Sequence, residues 1–85
     1  LMIGDGKTTT LNGAPVRCRA TMRLADATLL TCDWTSPAQH QPGPGFDRLS
    51  RSVKLARTWA DCYGYLLLAS GWADLSIDPI MNPWD

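Results

Sequence analysis

The spacing of apolar and polar positions changes period along the chain, and each change predicts an element. Thr8-Thr9-Thr10-Leu11 runs into Asn12-Gly13, a dipeptide that accepts the positive φ of a type I′ turn, so a strand enters a tight hairpin. Val16-Arg17-Cys18-Arg19 is the expected returning strand. Leu24 to Thr31 opens with helix-compatible residues and ends in the β-branched and leucine run Thr28-Leu29-Leu30-Thr31, which predicts a core strand. Phe46, Leu49 and Val53 fall at i, i+3 and i+7, the stripe of a short amphipathic helix whose outer face carries Asp47, Arg48 and Arg51. Lys54-Leu55-Ala56-Arg57 fits a short strand or linker. A second helix is expected from Thr58, a capping residue, through Asp61 in the first turn, to a stop at Gly71. Ala73 to Asp78 alternates with period two and closes at Pro79, a strand.

Strands that alternate with helices in this order imply an α/β layer in which helices pack on a mixed sheet. Ser36 to Gly45, rich in Pro, Gly and Gln, reads as a surface loop too short to separate domains, so residues 1–85 are expected to form a single small domain. Eight Lys plus Arg balance eight Asp plus Glu, which disfavours a nucleic-acid partner. At 45% hydrophobic and 19% charged, the composition is that of a chain with a core rather than a disordered one. The longest apolar stretch, Tyr63 to Ala69, falls far short of the roughly 20 residues that cross a bilayer, so no membrane partner is expected. Leu1 to Lys7 lacks the pattern of a secretory signal, and a cytoplasmic location follows as the default.

Candidate chemistry is sparse. Cys18, Cys32 and Cys62 are odd in number and widely spaced, which fits reduced thiols that pack as small hydrophobes. His40 sits in the turn-rich stretch with no Cys or His near enough to complete a ligand set, so it is expected to be solvated. Asp61 opens a helix, while Asp78 and Asp85 flank the loop from Pro79 to Trp84. Carboxylates gathered at a strand end can hold a hard divalent cation. By spacing alone, the plainer roles are a helix cap, a strand-end turn residue and a terminal residue.

The run Asp61-Cys62-Tyr63-Gly64-Tyr65-Leu66-Leu67-Leu68-Ala69-Ser70-Gly71, followed by Ala73-Asp74-Leu75, Asp78-Pro79 and Pro83-Trp84-Asp85, resembles the inositol monophosphatase superfamily and most of all its histidinol-phosphatase-like branch. Thr9-Thr10-Leu11-Asn12-Gly13 and Pro15-Val16 extend the resemblance to nearly the whole chain. It implies part of the C-terminal half of a layered α/β/α sandwich, and a Mg²⁺-dependent hydrolysis of a phosphomonoester in which metal ions activate the attacking water. The resemblance makes Asp85 a metal ligand and Asp78 a contact to a substrate hydroxyl or amine. It makes Asp61 a substrate-facing acid suited to a cationic amine or imidazole. The family's remaining metal ligands, a Glu-Glu pair and an Asp-Pro-Ile/Leu-Asp-Gly-Thr motif, have no counterpart here, and Trp59 and Ala60 stand where related sequences carry glycine.

Two functions from different classes therefore follow as expectations. In one, the parent protein is a Mg²⁺-dependent phosphatase of a small phosphorylated metabolite, histidinol phosphate first, and this chain is its substrate-recognition part, inactive alone. In the other, it is a non-catalytic, self-associating α/β module. Leu66, Leu67, Leu68, Leu75 and Ile77 exceed what two short helices and a hairpin can cover, so a homo-oligomer or a complementary N-terminal half is the expected partner. The alternative is a compact monomer in which the Thr8 to Arg19 hairpin folds over the gap.

Overall fold

A computed structural model describes residues 1–35, 39, 43–59 and 61–84. In chain order the elements are β1 (Met2–Gly4), β2 (Thr9–Leu11), β3 (Ala14–Val16), a single 3-10 turn (Leu24–Asp26), β4 (Thr28–Thr31), α1 (Gly43–Ser52), β5 (Leu55–Arg57), α2 (Asp61–Ser70) and β6 (Leu75–Ile77). The α/β class stands, with its two pairing directions divided between two sheets. One is antiparallel in the order β1-β2-β3, the other parallel in the order β5-β4-β6.

The hairpin turn is the one its dipeptide demands, with Asn12 at φ 51° and Gly13 at φ 87°. A two-residue turn brings Ala14 opposite Leu11 at once, so the returning strand is Ala14–Val16 and not Val16–Arg19. Residues beyond Val16 have already left the sheet. Pro15 donates no backbone hydrogen bond, and it is tolerated because β3 is an edge strand. At the preceding turn the Asp5 carboxylate accepts the backbone N–H groups of Lys7 (2.8 Å) and Thr8 (2.7 Å), which hold it below the usual carboxylate range.

β4 is the centre of the molecule. All four of its residues are buried, as expected of a strand paired on both sides and covered on both faces. Both neighbours run parallel to it, and parallel neighbours need a crossover; α1 supplies one between β4 and β5. α1 keeps Phe46 and Leu49 half-buried and Asp47, Arg48 and Arg51 exposed, as its stripe predicts, although it ends at Ser52 and leaves Val53 beyond its last turn. Its start at Gly43 corrects the surface-loop expectation for residues 43–45, because Pro44 falls in the first turn, where its missing N–H costs nothing. The rest of that stretch, His40 included, lies outside the described residues, apart from Gln39. Trp34 packs on Phe46 with ring centroids 5.9 Å apart, tying the chain after β4 to α1.

α2 begins at Asp61, three residues after the expected Thr58 cap. Asp61 itself is left-handed at φ 59°. The incoming chain is pressed against the helix: a Cβ on buried Gly64 would lie 2.6 Å from the Trp59 carbonyl oxygen and 3.7 Å from Leu30. This contact explains a glycine in a helix interior, where it costs about 1 kcal/mol relative to alanine. The helix ends where expected. Gly71, at φ 90°, donates to the Leu68 carbonyl (3.3 Å) and Trp72 to that of Leu67 (2.9 Å), a Schellman closure.

Asp74 joins three segments. Its carboxylate accepts the Thr28 backbone N–H (2.7 Å) and both Nε (3.1 Å) and a terminal nitrogen of Arg19, while its own N–H donates to the Thr28 carbonyl (3.0 Å). Arg19 holds the Asp74 carboxyl far below the usual range. Leu66, Leu67, Leu68, Leu75 and Ile77 are all half-buried. The three cysteines are free thiols; Cys18 and Cys62 are exposed, so packing accounts only for Cys32. Among the described residues, no helix is long and apolar enough to cross a membrane.

Candidate functional site

In a parallel sheet every strand points its carboxyl end at the same edge, and open sheets of this kind bind ligands there. Cys32 follows β4, Asp78 follows β6, and the chain leaving β5 reaches Asp61 at the start of α2. These residues meet in one cleft of about 410 Å³, completed by Cys62, Tyr65, Ile80, Met81 and Trp84. Asp61 and Asp78, distant in the sequence, thus face one space. Asp85 lies outside the described residues. A groove of about 460 Å³ between the N-terminal sheet and Ala69 is lined by Lys7 and Arg17 but by no acidic or aromatic side chain.

Asp78 is held rather than free. The Tyr65 hydroxyl donates to its Oδ2, and that hydroxyl also lies 3.9 Å from the Met81 sulfur. Partial burial pushes the Cys32 thiol up, and a hydrogen bond to Asp78 adds to the shift. A thiol kept protonated is a donor, not a nucleophile. The cleft therefore offers two carboxylates beside a phenol, a thioether and an indole. That set suits a ligand with a cationic or hydrogen-bond-donating head on a small apolar or aromatic body.

Sequence reasoning assigned Tyr65 no site role and read Cys32 only as a packing thiol. Tyr65 is four residues after Asp61, hence one turn along the same helix face, and that spacing was the available signal. Cys32 carried no comparable signal, because its neighbour is on another strand. Among the described residues, no group of three or more His, Cys, Asp or Glu could hold a metal ion. Asp61 and Asp78, two carboxylates, do not by themselves make up such a group.

No protein-family model matches the chain. It is 36% identical over 78 residues to Histidinol-phosphatase of Chlorobaculum parvum, an alignment that covers 88% of this chain and 29% of that protein. It is also 36% identical over 83 residues to Bifunctional phosphatase IMPL2, chloroplastic, of Arabidopsis thaliana, covering 95% of this chain and 23% of that protein. Over 88% and 95% of its own length, the chain is thus similar to proteins of the inositol monophosphatase family. Within that family its likeness is to the histidinol-phosphatase-like branch. The chain spans 29% and 23% of the lengths of these two relatives.

Proposed function

We propose that this chain is the substrate-recognition part of a Mg²⁺-dependent phosphomonoesterase whose substrate is a small phosphorylated metabolite carrying an amine or imidazole, histidinol phosphate first. The observation that carries the proposal is the meeting of Asp61 and Asp78 in one cleft at the carboxyl edge of the parallel sheet. Two carboxylates beside aromatic and thioether walls favour a cationic ring over a neutral polyol. In this reading the phosphate end lies toward the Trp84 side of the cleft, next to Asp85 in the sequence. Magnesium would come from a ligand set that the described residues do not complete, so residues 1–85 alone should release no phosphate. The three free thiols are consistent with a reducing compartment such as the cytoplasm.

The test is phosphate release from histidinol phosphate by the protein at its full natural length, with and without Mg²⁺. Metal-dependent turnover supports the proposal; robust turnover by residues 1–85 would refute the division of labour. Asp61→Asn should raise KM for histidinol phosphate more than for an aryl phosphate, and equal losses would leave Asp61 a structural role at the start of α2.

A second reading, a self-associating α/β module, is favoured by one observation. Trp59, Tyr63 and Trp72 are 48%, 57% and 71% exposed around a single groove of about 350 Å³ whose floor includes Leu30 and Leu67. Soluble monomers rarely leave such apolar patches open. Sedimentation equilibrium at micromolar concentration decides it: a monomer mass and concentration-independent unfolding remove this reading.

A further inference from the structure

Asp78 lies just past the last paired residue of β6, and the ladder, which joins main chains only, does not orient its side chain. Two neighbours do. Thr31 and Ile77 are partners in the parallel ladder, so Cys32 and Asp78 occupy the next step of adjacent strands, whose backbones are about 4.8 Å apart. From the other side α2 delivers Tyr65, whose hydroxyl donates to Asp78 Oδ2. Tyr65 is also one helical turn from Asp61, so a single helix face carries one acid of the cleft and the donor that holds the other.

We propose that Tyr65 is a positioning residue that fixes the Asp78 carboxylate toward the substrate's cationic group, with the Cys32 thiol as its second donor. This rests on the function proposed above and names the element that sets its specificity. A carboxylate anchored through Oδ2 presents its remaining lone pairs in one direction, so it discriminates by geometry as well as charge. Losing the Tyr65 donor leaves Asp78 held from the Cys32 side alone, so the carboxylate turns from the substrate's cationic group and grips an amine or imidazole less well, without altering the groups at phosphorus.

The experiment compares the full-length protein with its Tyr65→Phe variant, which keeps the ring and loses only the hydroxyl. The expected result is a KM for histidinol phosphate raised roughly three- to tenfold, the size that one hydrogen bond carries, with a smaller change in kcat and a smaller KM change for p-nitrophenyl phosphate. An unchanged KM for histidinol phosphate, or equal losses on both substrates, overturns the proposal while leaving the phosphatase function intact. A wild-type protein that hydrolyses neither substrate overturns the function itself. The clamp has a readout that does not depend on activity, the rate at which iodoacetamide alkylates Cys32, followed by peptide mass spectrometry. Without the phenol, Asp78 accepts more strongly from the thiol and alkylation should slow at least about twofold, whereas Asp78→Asn should speed it. Equal rates in wild type and Tyr65→Phe would show that Tyr65 does not hold Asp78.

Discussion

The two sheets of this protein have the same number of strands, but only the parallel one contains a buried strand. In the parallel sheet, β4 is buried along its whole length, with Leu29 at 0% and Leu30 at 1% exposure. In the antiparallel sheet no residue is buried; Ile3 is 53% exposed and Leu1, just before β1, is 83% exposed. The cause is connectivity. Parallel neighbours require crossovers whose helices cover the strands, whereas a meander closes through tight turns and brings no cover with it. The lesson is that tertiary stability and the acidic cleft belong to the parallel sheet, while the N-terminal sheet is held by local devices: the Asn12-Gly13 turn and the Asp5 carboxylate.

Substitutions can break that contrast. The largest effect is expected for Leu30→Ala, which opens a cavity beneath α2 and should cost about 2–5 kcal/mol in urea unfolding. A loss below 1 kcal/mol would mean that β4 is not the core. Next comes Gly71→Ala. It places a side chain at φ 90° with its Cβ 2.9 Å from the Arg17 carbonyl oxygen, and should cost about 1–3 kcal/mol by the same measurement.

Asp74→Asn should cost about 1–2 kcal/mol at neutral pH, toward the low end for charged hydrogen bonds because the Arg19 side chain is 39% exposed and partly screened. This prediction has a definite sign with pH. The folded carboxyl titrates below its unfolded counterpart, so its stabilisation is complete above the unfolded pKa of about 4 and is lost as pH falls toward the lower folded value. A urea series from pH 6 to pH 2 should show that acid loss in wild type and a shallower one in Asp74→Asn. The smallest effect is expected for Ile3→Thr in β1, within about 0.5 kcal/mol. A loss as large as that of Leu30→Ala would show the N-terminal sheet to be part of the core.

The contrast also explains what was legible in the residues. Features encoded within a few positions could be read directly: the Asn12-Gly13 turn, the β-branched run of β4, the apolar stripe of α1 and the glycine closure of α2 at Gly71. Boundaries that depend on distant contacts could not. α2 starts at Asp61 rather than Thr58, in a region where Trp59 packs over Gly64. β3 starts at Ala14 rather than Val16 because the turn sets the register. The Asp61-Cys62-Tyr63-Gly64-Tyr65 run carried the family resemblance, and with it the candidate roles of Asp61 and Asp78.

What the sequence determined by itself is therefore the local geometry and the family resemblance, since turn dipeptides, helix periodicity and a motif run all act at short range. Only the tertiary structure decided that the strands form two sheets, that Asp74 bridges Arg19 to the start of β4, and that Cys32 and Tyr65 both reach Asp78. Arg19 and Asp74 are 55 positions apart, Thr28 and Asp74 are 46 apart, Cys32 and Asp78 are also 46 apart, and Tyr65 and Asp78 are 13 apart. The physical reason is that a parallel sheet aligns strand ends that are remote in the chain, and no pattern along one strand records which residue will stand at the end of its neighbour.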